Sequence, residues 1–491
     1  MRKRFEQQLA IGQVAIESTY ISPKSNNALD ELLAALKAIY CHPEYNERIF
    51  SILENYINSG KKKTGRTGMD LWCIFVLSQV RLCLNVSYDM LHNLTNNHRS
   101  MRQLMGIERD YSFERVSFEY QNIYDNVTMI SDELVIELNK VILEFGHGEV
   151  FKKKEDTALA LKSDSFVVES NVHFPTDYNL LWDSARKCIE TVAKFLIKYK
   201  ELEGWRKIKN WHFEMKGLMR ELGKASSSGG KRKDERVMLS AKSYLKKSEA
   251  LLEKLQKELP LFPQNDQVDI LLIIVLEHFM ILMEKHIDLV NRRLILGETI
   301  PHEEKLFSIF EQYTEWVKKG KMRPNVELGK KLTITTDQYN LIVDYQLMDE
   351  EQDRDIVIEL YERLSKKHKI TSWSFDKGYW RKENKEKLQQ TIPKVIMPKL
   401  GRRNLAEEME ESSYTFKHLK KKHSAIESNI NELENRGLDR CPDRGIEHFN
   451  RYVSLAVCAY NLKKMGRQIL KLQREANERL NNNQKKLRRV A

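Results

Sequence analysis

The stretch "KSDSFVVESNVHFPTD" at residues 162–177 decides how the chain is read. Phe166, Val167 and Val168 make the apolar middle of a buried strand, yet Asp164 precedes them and Glu169 follows. A carboxylate in an apolar β-segment carries a desolvation cost that something must offset. The two acids stand five residues apart, so the two-residue period of a strand places them on opposite sheet faces. Glu169 is therefore a poor partner for Asp164. Pro175, Thr176 and Asp177 read as the turn that opens a helix, with Thr176 or Asp177 as its cap.

Other strands lie far from this one. "VELGKKLTITTDQ" and "YNLIVDYQL" (residues 326–347) form a hairpin turning at Asp337 to Tyr339. A helix from about Glu350 to Lys367 follows, with Ile356, Leu360 and Leu364 as its apolar stripe. Then come a strand in "TSWSFDKGYW", a helix in "KENKEKLQQT", a strand in "KVIMP" and long helices from Ser412 onward. Residues 183–320 are almost wholly helical by period, with breaks at "GKASSSGGKRKDER" and "PLFPQND". With that block set aside, the order is strand, two hairpin strands, helix, strand, helix, strand, helix. A mixed α/β sheet with flanking helices is the natural packing. The order matches a ribonuclease-H-like core carrying a large all-helical insertion after its first strand.

The chain has 491 residues, which at about 150 residues per domain suggests roughly three domains. The expected divisions are a helical N-terminal domain at 1–150, the core at 151–182 and 321–470, the insertion at 183–320, and a basic tail at 471–491. In the N-terminal domain Leu32, Leu33, Leu36 and Ile39 share one helix face, "LWCIFVLSQVRLCL" is a strongly apolar helix, and Ser87 is placed to cap the next.

The formal net charge is +12, a balance that favours polyanionic partners. It is concentrated at the end. From Lys463 onward ten basic residues face only Glu475 and Glu478. The six cysteines are scattered with no C-x-x-C pair, which excludes a zinc ribbon or disulfide framework and fits a reducing compartment. The N-terminus lacks the apolar core of a signal peptide. The most apolar run, at residues 268–284, carries Asp269, Glu277 and His278, so a buried helix is expected there in place of a membrane span. The expected protein is soluble and cytoplasmic.

Asp164 on the first strand, Asp376 at the end of "SWSFD" and Glu427 in "KKHSAIESNINELENRG" appear in the order such a core needs for three acids at one site. Hydrolysis and transesterification of phosphodiesters need charge neutralised on the phosphoryl group and a hydroxyl activated, which two divalent ions about 4 Å apart supply. Magnesium takes hard oxygen ligands and usually few protein carboxylates. Three carboxylates from two strands and a helix are enough.

The text around these acids resembles the DDE transposases of bacterial insertion sequences, most closely the ISNCY type, over nearly the whole chain. "GRTGMDLWCIFVLSQVRLCLNVSYDMLHNLTNNHRSMRQLMGI" is similar to the helical DNA-binding domain that precedes the catalytic core in that family. "SDSFVVESNVHFPTD" and "FDKGYWRKENKEKL" resemble its first and second Asp motifs. "KKHSAIESNINELENRGLDRCPDRGIEHFNRYVSLAVCAYNLKKMG" resembles its long C-terminal signature. The resemblance implies that Asp164, Asp376 and Glu427 are catalytic and hold two Mg2+ or Mn2+ ions. It implies binding of terminal inverted repeats, end cleavage releasing a 3′-hydroxyl, and attack of that hydroxyl on target DNA by a homodimer, away from membranes and associated with the nucleoid. Some relatives carry Tyr, Arg, Glu and Lys along the last catalytic helix; here His423 stands in the Arg position and Glu434 in the Lys position.

Expected DNA contacts are Arg66, Arg99 and Arg102 in the N-terminal domain, Lys377, Lys422 and His423 near the acids, and Lys485, Lys486, Arg488 and Arg489 in the tail. Trp373 and Trp380 flank Asp376 and either stack on an unpaired base or pack beneath the sheet. Two other readings stay open: a catalytically inactive DNA-binding protein descended from a transposase, and a ribonuclease-H-like nuclease that cuts without joining.

Overall fold

The computed structural model describes residues 2–5, 9, 11–60, 68–109, 115–154, 156–200, 204–318 and 325–490, with residues 483–490 described by backbone alone. Two compact units emerge, one of Met1–Asn171 with Val317–Ala491, the other of Val172–Trp316.

Among the described residues the first unit opens with seven α-helices: α1 (Ala28–Tyr40), α2 (Pro43–Ile57), α3 (Leu71–Leu84), α4 (Tyr88–Asn97), α5 (Arg99–Leu104), α6 (Tyr120–Val127) and α7 (Asp132–Phe145). Ser87 accepts from the Met90 amide and so caps α4. The long first strand, β1 (Leu159–Ser170), follows. The second unit holds α8 (Asp177–Lys198), α9 (Ile208–Ser227), α10 (Lys233–Glu258) and α11 (Gln267–Leu294). Thr176 caps α8 through the Asn179 amide, while Asp177 pairs with Arg293 at 2.7 Å.

The chain then adds β2 (Glu315–Lys318), β3 (Val326–Thr336), β4 (Ile342–Leu347), α12 (Val357–Ser365), β5 (Ile370–Phe375), α13 (Lys382–Gln389) and β6 (Lys394–Ile396). It finishes with α14 (Leu405–Ser412), α15 (Tyr414–Leu433), the short β7 (Arg440–Cys441) and α16 (Ile446–Val490). The sheet order is β2-β3-β1-β5-β6, with β4 also on β3 and β7 on β1. β3 runs antiparallel to β1 and β4 antiparallel to β3, whereas β5 and β6 run parallel. This mixed sheet is consistent with a ribonuclease-H-like core. Leu159, Leu161, Trp373, Phe375 and Val395 bury one face of it beneath Val357, Leu360 and Leu364 of α12.

The N-terminal helices do not stand as a compact unit of their own, contrary to the division expected at residue 150. The cause is α16, which packs against α1, α3 and α7. Its Asn461 donates to the Asn139 side chain on α7 and to the Ile342 carbonyl on β4, and accepts from the Ile342 amide at 2.8 Å. At Gly466 the helix crosses α1 so closely that a Cβ would run into the Glu31 carbonyl. One helix thus fastens the sheet to the helices before it.

Candidate active site

Asp164 sits at mid-strand. Its neighbour Ser163 is in register with Phe375 of the parallel strand β5, so Asp164 and Asp376 follow side by side where β5 ends. The turn after Asp376 is held down by Tyr379, fully buried, whose hydroxyl lies 2.5 Å from Thr333 Oγ1 on β3. Thr333 is itself paired with Ser165. Beneath, Trp373 stacks on Phe375 at 4.9 Å and donates to Ser163 Oγ at 2.8 Å. Trp373 is therefore a packing residue, and no face of it is left for a base.

Glu427 arrives from α15, which packs on β1, β5 and β6. Phe416, His423, Ile426 and Ile430 are its buried side. His423 is hydrogen-bonded with Ser374 Oγ at 3.0 Å, two residues before Asp376. Residues four apart share a helix face, so that anchor brings Glu427 to the acids one turn later. Burial holds the His423 imidazole neutral, down at about 4, against the pull of Asp376. The expectation that His423 meets DNA phosphates is corrected: the ring is buried and uncharged.

The acids meet electrostatically. Burial lifts Asp164 to about 7; the Ser165 amide opposes this, and the charges of Asp376, Asp353 and Glu427 add to it. Asp353 was missed by sequence reading, which placed it inside a helix beginning at Glu350. That helix starts only at Val357, and the turn before it carries Asp353 to Gly378. There a Cβ would stand 2.9 Å from Asp353 Oδ2, so glycine is what lets the fourth acid approach. Asp353 pairs with Lys331 at 3.3 Å, while its Oδ1 is buried with no hydrogen-bond partner. The only signal available in the sequence was the density of acids in "DEEQDRD".

A cation suits this cluster. Its donors are hard carboxylate oxygens, one is orphaned, and Asp164 is disfavoured as an anion. Among the described residues no three His, Cys, Asp or Glu side chains form a ready-made cage for an ion. Glu169 lies apart from the cluster, paired with Arg440 at 2.9 Å.

The sign of the Asp164 shift gives a stability test. The folded state holds this proton more tightly than the unfolded chain, so its contribution is complete below about pH 4 and is lost as pH rises through about 7. Asp164→Asn should stabilise the metal-free protein by on the order of 1–3 kcal/mol at about pH 8 and hardly at all near pH 4. Urea denaturation at the two pH values checks this, and an equal effect at both would contradict it.

Of the expected DNA contacts, Lys377 and Lys422 are exposed beside Asp376 and on α15, and Arg99 is exposed at the start of α5. Arg102 is a correction. It is 1% exposed, with its guanidinium on Glu108 at 2.5 Å and on the Thr95 and Val116 carbonyls. It therefore ties Glu108 and Val116 to α5 and has no surface for a phosphate. Arg66 lies outside the described residues. So do the side chains of Lys485, Lys486, Arg488 and Arg489, whose backbone is helical. The basic run is also less free than it looked. Lys464 and Arg467 pair with Glu432 and Glu31 at 2.7 and 2.8 Å, and Lys463 contacts both acids.

Searches of curated proteins and of solved structures returned no match. Residues 297–462 match the family model described as the transposase DDE domain, a span that includes Asp376 and Glu427 and excludes Asp164. Through that region the chain finds its support for a DDE transposase family.

Proposed function

We propose that the protein is an insertion-sequence transposase of the ISNCY type that binds terminal inverted repeats, cleaves the element ends and joins them to target DNA. The observation that carries this reading is the gathering of Asp164, Asp376 and Glu427, with Asp353, around one end of β5. Asp164, Asp376 and Glu427 would hold two Mg2+ or Mn2+ ions. When bound, such ions neutralise charge on the transferring phosphoryl group and activate a hydroxyl or water. The chain's own part is positional. β1 and β5 set two acids side by side, Tyr379 fixes the turn after the second, and His423 seats the helix that brings the third. Lys377 and Lys422 stand exposed where a phosphate backbone would lie. Among the described residues no helix is long and apolar enough to cross a membrane, and the proposed place of action is the bacterial cytoplasm, on DNA.

The deciding experiment incubates purified protein with labelled element ends, a target plasmid and magnesium. Joined products support the reading. Cleavage without joining would make the protein a nuclease, and binding without cleavage would make it an inactive descendant.

The tail has its own test. Deleting the chain beyond Lys471 should flatten the salt dependence of DNA binding, since each lost phosphate contact lowers the slope by about 0.9. An unchanged slope in a filter-binding titration would make this part of α16 a solvated helix and nothing more.

A further inference from the structure

Helix α15 packs on β1, β5 and β6. Leu159, Leu161, Trp373 and Val395 pack under α12 on the other side of the sheet, so the residues alternating with them meet α15. At one place those side chains are small. Ala160 on β1 and Ser372 on β5 lie across from Ala425 on the helix, with Ile396 and Leu419 beside them. Larger side chains would close such a gap; these leave a cavity of about 280 Å3, near the lower end for small-molecule sites. Sheet below and helix above make it a slot, which admits a flat ring more readily than a globular body.

The polar side chains of its wall mostly donate. Gln338 Oε1 accepts from the Ala160 amide at 2.9 Å, and Asn340 Oδ1 accepts from Asn429 Nδ2 at 3.4 Å. Each contact occupies the amide oxygen and leaves the NH2 group to donate. Lys162 and Lys422 add two ammonium groups. Lys162 Nζ donates to the Asp337 carbonyl at 2.9 Å, a neutral acceptor, and among the described residues neither lysine forms an ion pair. Among the described residues no Asp or Glu lines the cavity. A cation drawn out of water is costly without an opposite charge, so this wall selects an anion.

We propose that this cavity binds a small planar aromatic carboxylate, its ring in the slot between Ala160 and Ala425 and its charge on Lys162 and Lys422. A bare inorganic anion would leave the Ile396 and Leu419 walls uncovered, and a neutral hydrocarbon would leave the two ammonium groups unpaired. Asp164, Asp376 and Glu427 lie outside the cavity, so the site is separate from the proposed chemistry and needs neither DNA nor metal. Its place still bears on that chemistry. Lys422 and Ala425 precede Glu427 on α15, so an occupant adds contacts between the sheet and the helix that carries Glu427.

Isothermal titration calorimetry of the full chain with 2-naphthoate, without DNA or metal, should show saturable binding at one site per chain. 2-Naphthylmethanol, the same ring without the charge, should bind at least about tenfold more weakly, since hydrogen bonds to charged groups are the stronger ones. Lys162→Met keeps the length of the side chain, removes the ammonium and should weaken naphthoate by a similar factor. Ala425→Phe should fill the slot and abolish binding with unchanged circular dichroism. No binding to the parent protein, equal affinity for the alcohol, or undiminished binding to Lys162→Met would overturn the proposal. A folded Ala425→Phe variant that binds as the parent does would place the naphthoate elsewhere and overturn it too.

Discussion

Asp164→Asn should reduce cleavage of element ends by at least about a thousandfold, roughly 4 kcal/mol of barrier, while binding of the inverted repeats persists. The substitution keeps the shape of the side chain and removes the charge that would hold a divalent ion between β1 and β5. The Ser165 amide, which donates to Asp164 Oδ1 at 2.8 Å, can still donate to an amide oxygen. The fold therefore has no reason to fail, and the metal-free variant should be the more stable protein near neutral pH. Asp376→Asn and Glu427→Gln should cost as much. Gel assays of cleavage and of binding on the same preparations separate the two functions. A variant that still cut would remove Asp164 from the site, and one that neither cut nor bound would point to misfolding.

Glu432→Ala should do the reverse, sparing the chemistry and lowering stability by about 3–5 kcal/mol, the usual cost of leaving a buried charge without its partner. Glu432 lies on α15 little more than one turn beyond Glu427, and by sequence either could be the third acid. Its environment differs. Burial pushes its carboxyl up, but hydrogen bonds from Lys463 and Lys464 outweigh this and hold it down at about 2. Lys463 is 4% exposed and Glu31, its other partner, 3%. Without Glu432 the Lys463 ammonium keeps, among the described residues, the Glu31 carboxylate at 3.7 Å. Thermal or urea unfolding measures the loss, and cleavage per folded molecule should match the parent. A stable variant with no cleavage would reopen the choice of third acid.

The Asp164 and Glu432 variants divide what was legible from what was not. Parity along a strand separated Asp164 from Glu169, because alternation is a local property of extended backbone. Helical period and the acid order placed Asp376 and Glu427 on a strand end and a helix, as they are found. Cap chemistry identified Ser87, since a hydroxyl three residues before an orphan amide is a local arrangement.

The remainder depended on partners distant in the chain. Arg467 looked like part of a DNA-binding tail, yet its carboxylate is Glu31, on the first helix. Arg102 looked like a surface charge, yet its guanidinium is taken up by Glu108 and by the Thr95 and Val116 carbonyls. His423 took the place of an arginine in a motif, but packing of α15 on β5 buried and neutralised it. Asp353 reached the acids only because a turn brought it to a glycine beside Asp376. The sequence by itself determined the order of the core elements, because apolar period and local capping are written along the chain. Only the tertiary structure decided which charges are free, because an ion pair or a burial cost arises from whichever surface the fold presses against a side chain.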